Sequence, residues 1–184
     1  MPKDLGGRRI LILSTEYGTE SDEIGRPLRE LRDMGADVTV AAPGAGPIRT
    51  LVVDRDPGPE VPVDLRFAEV DPAEFDAIVL PGGTLNADQL RMDEDARRLL
   101  ATVASAGRPV AAICHAPWVL IDAGLVAGVE LTSVPTIATD LRNAGAEWVD
   151  AEVVATEAKG FPLITSRTPA DLDAFIAAIA DAIA

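Results

Sequence analysis

Pro109-Val110-Ala111-Ala112-Ile113-Cys114-His115-Ala116-Pro117 is an apolar run of strand length, followed within four residues by a proline suited to the first turn of a helix. It reads as a fully buried strand of the kind found in parallel sheets covered on both faces. Cys114 and His115, the only cysteine and the only histidine of the chain, fall at the turn out of that strand. A side chain at a sharp strand-to-helix turn projects from the strand end, and the amides that follow point toward it with the positive end of the helix dipole. Both features favour a thiolate: a free thiol has a pKa of about 8.5, and a helix N-terminus or a neighbouring imidazolium brings it to roughly 3.5–7.5. The competing reading is a buried core cysteine beside an incidental histidine, since free cysteine is among the most buried residue types.

Outward from this turn the pattern alternates between strand and helix. Arg9 to Leu13, Val38 to Ala41 and Ala77 to Leu80 are further apolar strands, and Ser21 to Met34 and Asp93 to Ala106 are helices closed by Gly35 and Gly107. Residues 44 to 70, rich in Pro, Gly and Asp, carry short alternating runs at Ile48 to Val53 and Val61 to Val70 that predict a peripheral hairpin. After Cys114 come a helix to Ala123, a short strand at Val129 to Thr132 and a helix from Thr136 to Ala144. A strand pair surrounds Lys159-Gly160, and a last helix buries Leu172, Phe175, Ile176, Ile179 and Ile183. The order implies one α/β domain over residues 1–184, a mostly parallel sheet with helices on both faces. In such sheets chemistry collects at the carboxyl ends of the strands. There the turn after Leu13, the Pro81-Gly82-Gly83 turn and Cys114-His115 should converge.

Composition narrows the function. The 184 residues are 48% apolar and carry 30 acidic against 16 basic residues, a formal charge of −14, with Lys3 and Lys159 the only lysines. Nucleic acid and anionic membranes are excluded as expected partners, because binding them rests on clustered Lys and Arg. The most apolar segment, Val110 to Ile121, contains His115 and Pro117 and is shorter than the ~18 residues of a membrane span. One cysteine excludes an internal disulfide, and the N-terminal apolar run is too short for a signal peptide, so a reduced thiol in the cytoplasm is expected.

Candidate chemistry surrounds the thiol. Gly83 lets the backbone approach closely, so its amide and that of His115 are expected to hold an oxyanion formed when the thiolate adds to a carbonyl. Glu20 and Glu23, three apart, are read into the first turn of a helix, with their carboxylates on one face near the end of the first strand. Acids in a first turn also serve simply as dipole complements. A single histidine, no second cysteine and no clustered ligands predict no metal site, and neither a P-loop nor a dinucleotide fingerprint is present.

At this point the sequence resembles a known family. Ala112-Ile113-Cys114-His115-Ala116-Pro117 is similar to the A-I-C-H-G-P elbow of the PfpI branch of the ThiJ/PfpI superfamily. Glu74-Phe75-Asp76-Ala77-Ile78-Val79-Leu80-Pro81-Gly82-Gly83 resembles that branch's E-F-D-A-L-x-L-P-G-G. Asn143-Ala144-Gly145-Ala146-Glu147-Trp148-Val149-Asp150, with Glu152-Val153-Val154, and Thr165-Ser166-Arg167-Thr168-Pro169-Ala170-Asp171-Leu172 extend the likeness over nearly the whole chain.

The resemblance implies a flavodoxin-like three-layer sandwich and a cofactor-free enzyme. It makes Cys114 the nucleophile, His115 its acid/base partner and Glu23 the carboxyl beside the thiol. Asp88 falls where an acid from a neighbouring subunit orients the histidine, which implies a homodimer or larger homo-oligomer. Gly82, Gly83, Glu20 and Ala116 complete the expected substrate and oxyanion positions, with Ala116 standing where the family pattern has glycine. The implied substrates are small reactive carbonyls and glycated adducts, in a glyoxalase III or deglycase reaction. An intracellular cysteine peptidase and a redox-sensing or chaperone-like stress protein are the alternatives.

Overall fold

The computed structural model describes residues 3–184. The chain forms β1 (Arg9–Leu13), β2 (Tyr17–Glu20), α1 (Ser21–Asp33), β3 (Asp37–Ala42), β4 (Ile48–Val52), β5 (Asp56–Val61) and β6 (Leu65–Arg66). It continues through β7 (Ala77–Leu80), α2 (Thr84–Leu90), α3 (Glu94–Ser105), β8 (Val110–Ile113), α4 (Pro117–Asp122) and β9 (Glu130–Leu131). It ends with α5 (Ala138–Asn143), β10 (Glu147–Trp148), β11 (Val153–Ala158), β12 (Phe161–Ser166) and α6 (Leu172–Ile183). Seven strands, in the order β11-β12-β8-β7-β1-β3-β6, form the central sheet. All its pairs are parallel except β11 with β12.

Successive strand residues point to opposite faces, and both faces are apolar here. Ile10 and Ile12 of β1 pack with Ile24 and Leu31 of α1 and with Phe175, Ile176 and Ile179 of α6. Leu11 and Leu13 enter the opposite core with Leu99, Leu100 and Val103 of α3 and Val119 and Leu120 of α4. Each such side chain contributes about 1.5–3 kcal/mol on burial. The result is the flavodoxin-like three-layer sandwich expected from the sequence. Because β8, β7 and β1 are neighbours, the turns after Ile113, Leu80 and Leu13 emerge side by side.

Two readings of the first 70 residues are corrected. Residues 44 to 70 do hold a hairpin, but its second strand is β5 and not Val61 to Val70. Pro57 and Pro59 argue against a strand, yet β5 lies at the edge of a separate sheet of order β2-β4-β5, where a missing N–H is tolerated. Val61, Val63, Leu65 and Phe67 instead pass apolar side chains into the two cores, with β6 joining the sheet edge beside β3. The second correction is β2, which carries Glu20 at its end, ahead of α1. Among the described residues, no helix is long and apolar enough to cross a membrane.

Candidate active site

β8 is hydrogen-bonded between β7 and β12, so the chain must leave the sheet abruptly after Ile113. Cys114 makes that turn in the left-handed region, at φ 64°, a conformation that costs about 1–2 kcal/mol for a residue with a Cβ. It is held there from both sides: the Cys114 amide donates to Ser166 O at 3.1 Å, and the Val134 amide donates to Cys114 O at 3.1 Å. Sγ lies 3.3 Å from His115 Nδ1, and the Gly83 and His115 amides both donate toward it.

The Pro81-Gly82-Gly83 turn closes over the elbow. A Cβ on Gly82 would lie 2.5 Å from Glu23 Oε2 and 2.7 Å from Cys114 Cβ, so only glycine lets this backbone approach. Gly83, at φ 88°, turns its amide toward the thiol as the chain enters α2. Asn86, fully buried on α2, ties this turn to the end of β1. Its Nδ2 donates to Pro81 O at 3.0 Å and Gly82 O at 3.1 Å, while its Oδ1 accepts from the Thr15 amide at 2.8 Å and the Thr15 hydroxyl at 3.0 Å.

Glu23 is completely buried on the first turn of α1. Its Oε2 accepts from the Gly82 amide at 2.9 Å. Among the described residues Oε1 is buried without a partner at full hydrogen-bond geometry, and the Cys114 thiol lies against the carboxyl. Burial raises the Glu23 pKa from 4.5 to about 8, so the group is mainly a neutral acid at neutral pH. Burial and the neighbouring Glu23 charge push the thiol up as well. At neutral pH both groups therefore mainly keep their protons, and ionising the sulfur is compatible with Glu23 only as the acid, whose O–H is then available to the thiolate.

His115 is half-buried, which lowers its pKa, while the Asp54 charge opposes the shift. Its Nε2 lies 3.4 Å from Thr84 Oγ1 and 3.3 Å from Thr136 Oγ1, and Trp118 packs beside the ring at 5.3 Å between centroids.

The structure thus brings Cys114, His115, Glu23, Gly82 and Gly83 together. Glu20 is not on the helical face with Glu23: it ends β2, and its Oε2 accepts from the Val53 amide of the hairpin turn at 2.8 Å. Burial raises its pKa too. Ala116 has ordinary right-handed backbone angles, so no glycine is needed there. Its methyl enters the core opposite to the one that holds Cys114, and thus does not narrow the nucleophile's surroundings. Asp88 is exposed on α2 and, among the described residues, makes no side-chain hydrogen bond or ion pair with its own chain. Asn86, Thr84 and Asp54 escaped the sequence reading. The one available signal was an asparagine between Leu85 and Ala87, polar in an otherwise apolar stretch.

Known proteins resemble this chain in sequence and in fold. A deglycase of Thermococcus kodakarensis is 43% identical over 91% of this chain and 95% of its own length. Protein/nucleic acid deglycase 2 of Escherichia coli is 40% identical over 91% and 93%. Among solved structures, Drosophila melanogaster DJ-1beta superposes with a TM-score of 0.84 at 32% identity, covering 96% of this chain and 91% of that one. With the DJ-1/PfpI family profile matching residues 8–182, the chain belongs to the DJ-1/PfpI family.

Proposed function

We propose that the protein is a cofactor-independent thiol enzyme acting on small reactive carbonyls and glycated adducts, with methylglyoxal converted to lactate. The observation that carries this reading is the left-handed Cys114, whose sulfur faces two amides, an imidazole nitrogen and a carboxyl kept mainly neutral by burial. The names of the deglycase relatives support the substrate class.

In this reading Cys114 Sγ adds to the aldehyde carbon as the thiol proton passes to His115 Nδ1. The resulting alkoxide lies within reach of the Gly83 and His115 amides, and one such donor is worth about 3–4 kcal/mol. His115 returns the thiol proton to that oxygen, then takes the proton of the former aldehyde carbon and delivers it to the adjacent carbon while the new hydroxyl proton passes to the ketone oxygen, producing a lactoyl thioester. Water hydrolyses it, releasing lactate and restoring the thiol. Methylglyoxal and water become lactate and a proton, and no external electron acceptor enters.

A charge of −14 disfavours a stable clamp on a phosphate backbone. A glycated base, by contrast, offers the same carbonyl chemistry, so the expectation of no nucleic-acid partner narrows to no tight, salt-dependent complex. Asp88, exposed and without a side-chain partner among the described residues, is assigned to His115 of a neighbouring subunit in a homo-oligomer. Refolding Cys114→Ala and Asp88→Ala chains together should then restore part of the activity each lacks alone.

The decisive measurement is lactate formation from methylglyoxal without glutathione, run beside casein cleavage. Lactate without cleavage is expected, and cleavage without lactate would replace this reading by a peptidase. No turnover in the reduced form, with peroxide adding two oxygens to Cys114, would replace it by a redox sensor.

A further inference from the structure

The hairpin turn between β4 and β5 reaches the histidine through a hydroxyl. Asp54 Oδ2 accepts from Thr84 Oγ1 at 2.6 Å, and Asp54 Oδ1 accepts from the Thr84 amide at 2.9 Å. The same Thr84 hydroxyl oxygen lies 3.4 Å from His115 Nε2, and the opposite ring nitrogen, Nδ1, lies 3.3 Å from Cys114 Sγ. A carboxylate only accepts, and a threonine hydroxyl has one hydrogen. With that hydrogen given to Asp54, Thr84 offers His115 only a lone pair, whereas the Thr136 hydroxyl, 3.3 Å from the same Nε2, can donate or accept; an Nε2–H satisfies both oxygens, while a bare Nε2 would set its lone pair against that of Thr84. Nδ1 is then left with its lone pair toward the thiol.

The turn is built to hold this position. Val53 and Asp54 both lie in the left-handed region, at φ 56° and 54°, a pair that satisfies the tight-turn geometry but is unfavourable for a β-branched residue. The turn is closed by the Arg55 amide on Val52 O at 3.2 Å and clamped by Glu20 Oε2 on the Val53 amide at 2.8 Å. Glu20, buried and three residues before Glu23, thereby holds the hairpin turn. Thr84 is the first residue of α2, and Gly83 before it has no side chain with which to cap that helix.

We propose that Asp54, acting through the Thr84 hydroxyl, is a positioning residue that fixes His115 as its Nε2–H tautomer and so aims the basic Nδ1 at Cys114. The assignment rests on the thiol chemistry proposed above but is read independently of any substrate. Within one chain the order is carboxylate, hydroxyl, imidazole, thiol, the logic of a catalytic triad with one hydroxyl inserted. A simpler role for Asp54, as a cap on the amide of α2, accounts for the Oδ1 contact but not for the bond from the hydroxyl.

Asp54→Asn separates the two roles. Its Oδ1 still caps the Thr84 amide, while its NH2 replaces Oδ2 and donates to the Thr84 hydroxyl. The hydroxyl hydrogen is thereby released toward Nε2, which favours the Nδ1–H tautomer. Thr84→Val keeps the amide cap and removes the hydroxyl, and Thr84→Ser keeps both.

Because His115 is the only histidine, long-range proton–nitrogen spectra of uniformly labelled protein report a single imidazole. At neutral pH the parent and Thr84→Ser should show Nε2–H as the dominant form. Asp54→Asn should invert the pattern and Thr84→Val should mix it, and kcat should fall about 10-fold or more in both, with KM little changed, at the low end of general acid–base effects. A parent with Nδ1–H, or an unchanged tautomer in folded Asp54→Asn and Thr84→Val, would overturn the assignment. So would a tautomer lost in Asp88→Ala but kept in Asp54→Asn, which would hand the role to the neighbouring subunit. A parent that holds Nε2–H yet makes no lactate would overturn the proposed reaction and leave this assignment standing.

Discussion

Two walls enclose Cys114, and they are built differently. The sheet wall consists of the β8 elbow and the Gly82-Gly83 turn, both leaving buried neighbouring strands and locked by Glu23 and Asn86. The hairpin wall is the β4–β5 turn, whose Val53, Asp54 and Arg55 are exposed and whose link to the site is one carboxylate on Thr84. Strain is present in both, at Cys114 on one side and at Val53 and Asp54 on the other. The first is over-determined by packing, the second by a few hydrogen bonds. The chemistry proposed for Cys114 needs the wall that does not move, and the proposed tuning of the histidine is assigned to the other.

The largest effect should come from the sheet wall itself. Cys114→Ser exchanges a thiol for an alcohol far harder to ionise, in the same space. Turnover should fall by at least about 10³-fold while thermal unfolding stays within about 0.5 kcal/mol of the parent. Residual activity near the parent's, in protein shown by mass to be free of parent chain, would break the assignment of covalent chemistry to this wall.

Next comes Asn86, the joint between the Gly82-Gly83 turn and β1. Asn86→Ala strands buried amide and carbonyl groups at Thr15, Pro81 and Gly82, each worth about 1–3 kcal/mol when unsatisfied. A loss of about 3 kcal/mol in urea unfolding is expected, with a drop in kcat as the Gly83 amide shifts. A loss below 1 kcal/mol would mean that the wall is held by packing alone.

The legibility of the two walls follows the same division. β8, the elbow and the Pro-Gly-Gly turn are local patterns, an apolar run and turn residues at fixed offsets, and the family resemblance rests on them. His115, Gly82, Gly83 and Glu23, which surround the thiol, are therefore nameable from sequence, while Asn86, which ties the Gly82-Gly83 turn to β1, is not, because its partners lie at residues 15 and 81–82. On the hairpin wall little was legible. Tyr17-Gly18-Thr19-Glu20 is too short and glycine-broken to show strand alternation, and it becomes a strand only by pairing with β4 some 30 residues on. Local pattern alone consequently places Glu20 in the helix, whereas it ends β2. Val53-Asp54-Arg55 has the composition of any solvated turn; what makes Asp54 matter is a contact to Thr84 that no local pattern encodes.

Glu23 sharpens the comparison through pH. In the unfolded chain its carboxyl ionises near the ordinary 4.5, whereas in the fold it keeps its proton to about 8. Between those values the folded state binds the extra proton, so the stability that Glu23 contributes is present below pH 4.5 and lost as pH rises toward about 8. The slope is at most about 1.4 kcal/mol per pH unit. Glu23→Gln cannot ionise and should lack this slope, so the parent's denaturation midpoint should fall relative to the variant's from pH 5 to pH 8. Parallel curves would mean that Glu23 is charged throughout and unable to donate to sulfur.

The smallest effect is expected from Glu20, and its smallness is informative. Glu20→Ala removes the clamp on the Val53 amide, but that turn is exposed and water replaces the bond, so global stability should change by no more than about 1 kcal/mol. The loss should instead be local. Amide hydrogen exchange at Val53 and Asp54 should speed up, while exchange at Cys114 and Val134, held by the sheet wall, stays as in the parent. Adding Val53→Gly, which removes the β-branched side chain from a left-handed position, should slow the hairpin exchange again without restoring any charge. Were Cys114 and Val134 to exchange faster together with Val53, the two walls would be one cooperative unit, and a single carboxylate on the hairpin would be setting the elbow as well as the histidine.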